Sequence, residues 1–177
     1  MPFNRIRRVS RGLHACCTFV LVAAPPLILW AGFTLLRDPA LLQATFPAWP
    51  IAAELPIFPR IAALLIGLLP FAVALWTVWQ MRQLFGGYAQ GQVFTQTAAQ
   101  NILRIGWGAV IVALANILTH PVQAVLLTSA NPPGEKLISV QFGSADIGFL
   151  LAGGLLLVIG WVLSAASDLA QDNAAII

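Results

Sequence analysis

From Gly12 to Leu36 this chain has no Asp, Glu, Lys or Arg, and the same is true of Ile61 to Met81 and of Ile147 to Ala166. A fourth uncharged run begins at Ile105, after Arg104, and meets no charged residue before Glu135. About 20 apolar residues in a helix, at ~1.5 Å per residue, cross a hydrocarbon layer roughly 30 Å thick. Inside that layer a backbone amide has no water to bond, and a single segment satisfies its own backbone by becoming a helix. The expected fold is therefore an all-α membrane protein. It is one integral domain over residues 1–177, with four transmembrane helices at about 13–36, 61–81, 104–122 and 147–166 forming a compact bundle. Only 8% of the residues are charged, against roughly 25% in a soluble domain, too few to clothe a water-facing surface.

The cations are unevenly placed. Arg5, Arg7, Arg8 and Arg11 precede the first run and Arg82 and Arg104 bound the connection between the second and third, while Arg37, Arg60 and Lys136 fall on the other side. That bias predicts a cytoplasmic location for both termini and the middle connection. The amino-terminal arginines are expected to meet anionic headgroups, with no direct nucleic-acid binding. The first run exceeds the roughly 7–15-residue apolar region of a signal peptide, and Ala23-Ala24-Pro25 is a poor cleavage context. It is expected to stay in the chain as a helix kinked at Pro25 and Pro26.

Between Arg37 and Arg60, Pro39, Pro47, Pro50, Pro56 and Pro59 accompany Trp49 and Phe58, which predicts a stiff interfacial loop rather than a continuous helix. From Lys136 to Phe142 the pattern alternates, with Ile138, Val140 and Phe142 on one face. This predicts a short extended segment in the second outer loop, placed to pack on the first.

Chemistry is harder to place. A charged side chain inside a span costs about 2.5–3.5 kcal/mol even on lenient scales and usually handles protons, ions or substrate. None of the four runs contains one, which disfavours a transporter driven through a membrane carboxylate. His14 and His120 fall near opposite ends of the first and third spans, so they cannot share a haem or a metal. Cys16 and Cys17 are neighbours, too strained as a pair to serve as a disulfide framework. No catalytic motif appears, and the expectation is a protein without enzymatic activity, cofactor or metal. Small residues offer packing faces instead: Ala152, Gly160 and Ser164 on the fourth helix, Ala109 and Ala113 on the third, with Asn116 able to add an interhelical hydrogen bond.

The connection between the second and third spans is more distinctive. Leu84, Phe85 and Tyr88 continue the second helix as an apolar stripe, Gly91 permits a turn, and Thr95 reads as the cap of the next helix. A helical hairpin emerging from the membrane follows. It serves either as an interfacial connector or as a docking surface for a cytosolic protein.

The stretch from Leu84 through Thr95, then Asn101 and Leu103 to Gly106, resembles a bacterial family of small four-span membrane proteins known only as a domain of unknown function. The tail from Asp168 to Ile177 is similar too, although Asp172 stands where members commonly carry Glu and Gln100 where they carry an acidic residue. The resemblance implies no reaction. It does imply a partner, because genes of this family often adjoin one for a small helix-turn-helix regulator. The resulting expectation is a multi-pass protein of the bacterial inner membrane, embedded in the lipid bilayer. Its cytoplasmic hairpin and tail dock or regulate a protein partner, through Phe85, Tyr88, Phe94 and Thr95 for shape and Asp168, Asp172 and Asn173 for polar contacts. The alternatives are an accessory subunit packing against other membrane-complex subunits, and a carrier of a small neutral solute.

Overall fold

The computed structural model describes residues 2–52, 55–92, 95–132 and 134–174, with side chains from Arg5 to Leu169 outside those gaps. Among the described residues five helices follow one another: α1 (Pro2–Arg37), α2 (Pro39–Thr45), α3 (Ile57–Ala89), α4 (Gln96–Leu127) and α5 (Ser144–Ala174). Four of them, all but α2, are long and apolar enough to cross a membrane, which makes this a multi-pass membrane protein. Each is longer than its uncharged run. At 36 residues, α1 extends well beyond a hydrocarbon layer of roughly 30 Å. Charged residues mark where lipid ends, but the intrahelical hydrogen bonds continue past them into water, so the exposed Arg5, Arg7, Arg8 and Arg11 belong to the same helix. The helix also runs unbroken through Pro25 and Pro26.

The long helices form a bundle in which each lies against the next in chain order: α1 on α3, α3 on α4, and α4 on α5. The middle helix α4 is the most enclosed, and its composition explains why. Ala98, Ala99, Gly106, Gly108, Ala109 and Ala113 are all buried along it, and small residues let neighbouring backbones come close. Among the glycines, backbone comes closest to backbone at Gly106 and Gly153, where a Cβ on Gly153 would sit 2.8 Å from the Gly106 carbonyl oxygen. Gly160 of α5 is likewise pressed against Leu103. Ala152, expected on the same packing face, is exposed; the face is set by Gly153, Leu157 and Gly160, at spacings of four and three.

At one end α2 and its loop cap the bundle. Asp38 opens α2 by accepting from the backbone N–H groups of Ala40 (2.9 Å) and Leu41 (3.2 Å), with Pro39 at the first helical position. Leu42, Trp49 and Leu55 then bury themselves against Ala63, Ala124 and Leu127. Arg60 is only 8% exposed and donates from Nη1 to the Leu36 carbonyl (3.0 Å) and from Nη2 to the Leu55 carbonyl (3.3 Å). It thereby closes the end of α1, whose last carbonyls lack intrahelical partners.

The two loops at this end do meet, through Asn131, whose Nδ2 donates to the Pro50 carbonyl at 2.6 Å. The expected extended segment does not form a strand: among the described residues there is none, and residues 135–143 are irregular. A lone extended segment leaves its N–H and C=O groups without a ladder partner. Here Leu137 N–H donates to Thr128 Oγ1 (3.2 Å) and Gly143 N–H to Asp146 Oδ2 (2.9 Å) instead. Asn116 reaches the same Asp146, Nδ2 to Oδ1 at 3.5 Å, a long version of the expected bond between helices.

Candidate functional site

The other end of the bundle is where the start of α1, the α3–α4 turn and the last turns of α5 converge. Arg7 donates from Nε to the Ala89 carbonyl (3.1 Å), Arg82 from Nε to Thr18 Oγ1 (2.9 Å), and Gln96 from Nε2 to Ser164 Oγ (2.9 Å). These three bonds tie α1 to α3 twice and α4 to α5 once.

The turn itself is well specified. Gln90 caps α3, Gly91 N–H donates to the Tyr88 carbonyl at 3.1 Å, and Gln92 N–H donates to the Gly87 carbonyl at 3.0 Å. This pair of bonds is a Schellman closure, which needs a left-handed residue just past the cap. Gly91 supplies it at φ +90°. On the far side Thr95 takes extended backbone angles and its Oγ1 accepts from Ala98 N–H at 3.2 Å, starting α4 as its sequence position suggests.

Between α1 and this turn lies a polar cleft of about 270 Å³, walled by His14, Arg82, Gln90, Gln92, Thr97 and Asn101 among others. Its walls donate and accept hydrogen bonds and carry the Arg82 cation. Five further arginines belong to the same end of the bundle, Arg5, Arg7, Arg8 and Arg11 in the first turns of α1 and Arg104 in α4, all exposed. Among the described side chains, this end of the molecule has six cations against Asp168, while the α2 end has three against Asp38, Glu135 and Asp146.

The residues expected to form a site are divided by this geometry. Tyr88 is half-buried and packs on the cluster of Leu84, Ala98, Ile102 and Ile105. Phe85 is half-buried as well, and the Thr95 hydroxyl is engaged in its cap. Asp168 is exposed, one turn beyond Ser164 on α5. Phe94 lies outside the described residues, and Asp172 and Asn173 continue the α5 backbone with side chains outside the description.

Of the expected residues, Thr95 lines the cleft and Phe85, Tyr88 and Asp168 do not; the other polar groups there are chiefly Gln90, Gln92 and Thr97 on the hairpin and His14 on α1. A signal for them was present in composition, because Gln80, Gln83, Gln90, Gln92, Gln96 and Gln100 cluster within one short stretch. His14 could not be found that way, since only the docking of α1 on α3 brings it to Gly86.

Among protein families, the one described as "Protein of unknown function (DUF2975)" matches residues 13–177. No curated protein and no solved structure matches the chain.

Proposed function

We propose that this chain, which belongs to the family Protein of unknown function (DUF2975), is a non-enzymatic protein of the bacterial inner membrane that docks a soluble protein partner on its cytoplasmic face. The observation that carries the reading is the polar cleft that α1 and the α3–α4 turn form at the cation-rich end, walled by glutamines, Thr97, His14 and Arg82, with α5 tied beside it through the Gln96–Ser164 bond. Cations concentrate on cytoplasmic loops, so this is the end that faces cytosol. Hydrogen-bonding side chains, mostly neutral and set beside the Arg82 cation, suit recognition of a polar protein surface. The partner class we propose is the small helix-turn-helix regulator that the sequence resemblance implies, held at the membrane by the hairpin and the α5 tail.

Co-expression of the tagged chain with that regulator, followed by solubilisation in mild detergent, tests the reading. The two co-purify in the wild type, and the Gln90→Ala/Gln92→Ala/Thr97→Ala variant loses the regulator while keeping its own yield. A wild-type chain that emerges without the regulator, or with a stoichiometric membrane subunit in its place, overturns it.

A further inference from the structure

At the α2 end, α1 packs on α3 but not on α4, and the space left between them is a cavity of about 650 Å³. That volume lies within the ~300–1,000 Å³ of pockets that bury most of a drug-sized ligand. Leu29, Phe33 and Leu65 line it and are themselves exposed, so it opens sideways on the lipid-facing surface. Its walls are apolar along α1 and α3. On α4 they are not: Asn116, Thr119, His120 and Gln123 face the same space. No Asp, Glu, Lys or Arg lines it among the described residues.

The polar groups are mostly engaged, with one exception. Gln123 Nε2 donates to the Ala63 carbonyl (3.0 Å) and Thr119 Oγ1 to the Asn116 carbonyl (3.2 Å). His120 is held edge-on to Trp49, with ring centroids 6.2 Å apart, and Trp49 stacks on Phe46, another cavity residue. The buried His120 Nδ1 finds no hydrogen-bond partner among the described residues. A buried nitrogen left unmet is costly, and here it belongs to a side chain on the cavity wall.

We propose that this cavity is a binding site for a neutral long-chain lipophile with a hydroxyl head. Among the described residues no charged side chain lines the walls, so an ionised headgroup drawn inside would be desolvated without a counter-charge on them. A hydroxyl both donates and accepts, so it satisfies His120 Nδ1 whichever ring nitrogen carries the proton. Its chain runs along α1 and α3 toward the middle of the bilayer, past Ile28 and Phe71, with the head under the Phe46–Trp49 cap. The site stands apart from the docking reading, at the other end of the bundle.

The test uses the full chain in phosphatidylcholine nanodiscs with a diazirine-bearing hexadecanol as photoprobe. Labelling is expected to saturate, to map to the cavity walls of α1 and α3, and to be competed by hexadecanol but far less by palmitate or hexadecane. Two variants separate binding from folding. In Gly32→Leu the new side chain projects into the cavity, because a Cβ at Gly32 has nothing within 4 Å; affinity falls at least tenfold with an unchanged melting midpoint. His120→Phe weakens hexadecanol about five- to tenfold and leaves hexadecane as it was. Labelling that rises in proportion to probe content and is indifferent to Gly32→Leu overturns the proposal, as does equal competition by hexadecane. Either result reduces the cavity to a space filled by bulk lipid chains.

Discussion

Single side chains close the ends of this bundle. Arg60 borders a span in the sequence and in the structure spans the gap between two chain segments, donating to carbonyls of Leu36 and Leu55. Hydrogen bonds from a charged group are worth about 1.5–3 kcal/mol each, so Arg60→Met is expected to cost roughly 2–4 kcal/mol. Denaturant titration in mixed micelles reads that loss, and a variant as stable as wild type would show the two carbonyls to be solvated. Thr95→Ala removes one cap bond and is expected to cost about 1 kcal/mol; Thr95→Ser, which keeps the hydroxyl, restores it in the same assay. Of these two roles the cap was legible, because an N-cap acts within four residues. The role of Arg60 was not, because its acceptor on Leu36 is 24 positions away.

At the scale of elements, the α4–α5 pairing rests on backbone proximity. A side chain at Gly153 meets the Gly106 carbonyl and Val110 at 2.8 Å, whereas Gly154 next to it faces open space. Gly153→Leu is therefore expected to separate α5 from α4, and Gly154→Leu to leave them paired. Disulfide trapping of Gln96→Cys with Ser164→Cys, in the variant that replaces Cys16 and Cys17 with Ala, distinguishes them: the cross-link forms in the second background and is lost in the first. Overpacking of this sort typically costs about 1–3 kcal/mol, and equal trapping in both would show that α5 can shift to accommodate the side chain. The sequence marks α5 as rich in small residues, and both Gly160 and Ala152 belong to that pattern. Which of them meets α4 depends on how the helix is rotated about its axis, and that is settled by the mutual fit of Gly153 and Gly106.

At the scale of the whole molecule, charge sorts to one end and the cap to the other. Six cations lie at the α3–α4 turn end and three at the α2 end, and four of the six are in the first eleven residues. Changing Arg5, Arg7, Arg8 and Arg11 to Gln leaves two against three, and the insertion is then expected to be mixed or inverted. Paired reporter fusions after residue 177, one active only in the cytosol and one only outside it, read the outcome. A carboxyl terminus that keeps a single location despite the change would assign orientation to the spans rather than to the arginines.

The number of crossings, their helical nature and the hairpin between the second and third were decided by local chemistry: uncharged length against bilayer thickness, a glycine that tolerates positive φ, a threonine that caps. These act within one segment, so the order of residues carries them. What the tertiary structure decided is which faces meet and what they leave open. The polar cleft needs His14 brought to the turn by α1, and the apolar cavity exists because α1 leans on α3 and away from α4. Helix rotation and tilt come from the fit of many side chains on different segments, and in lipid no hydrophobic gain favours one apolar face over another. Only the assembled bundle selects among them.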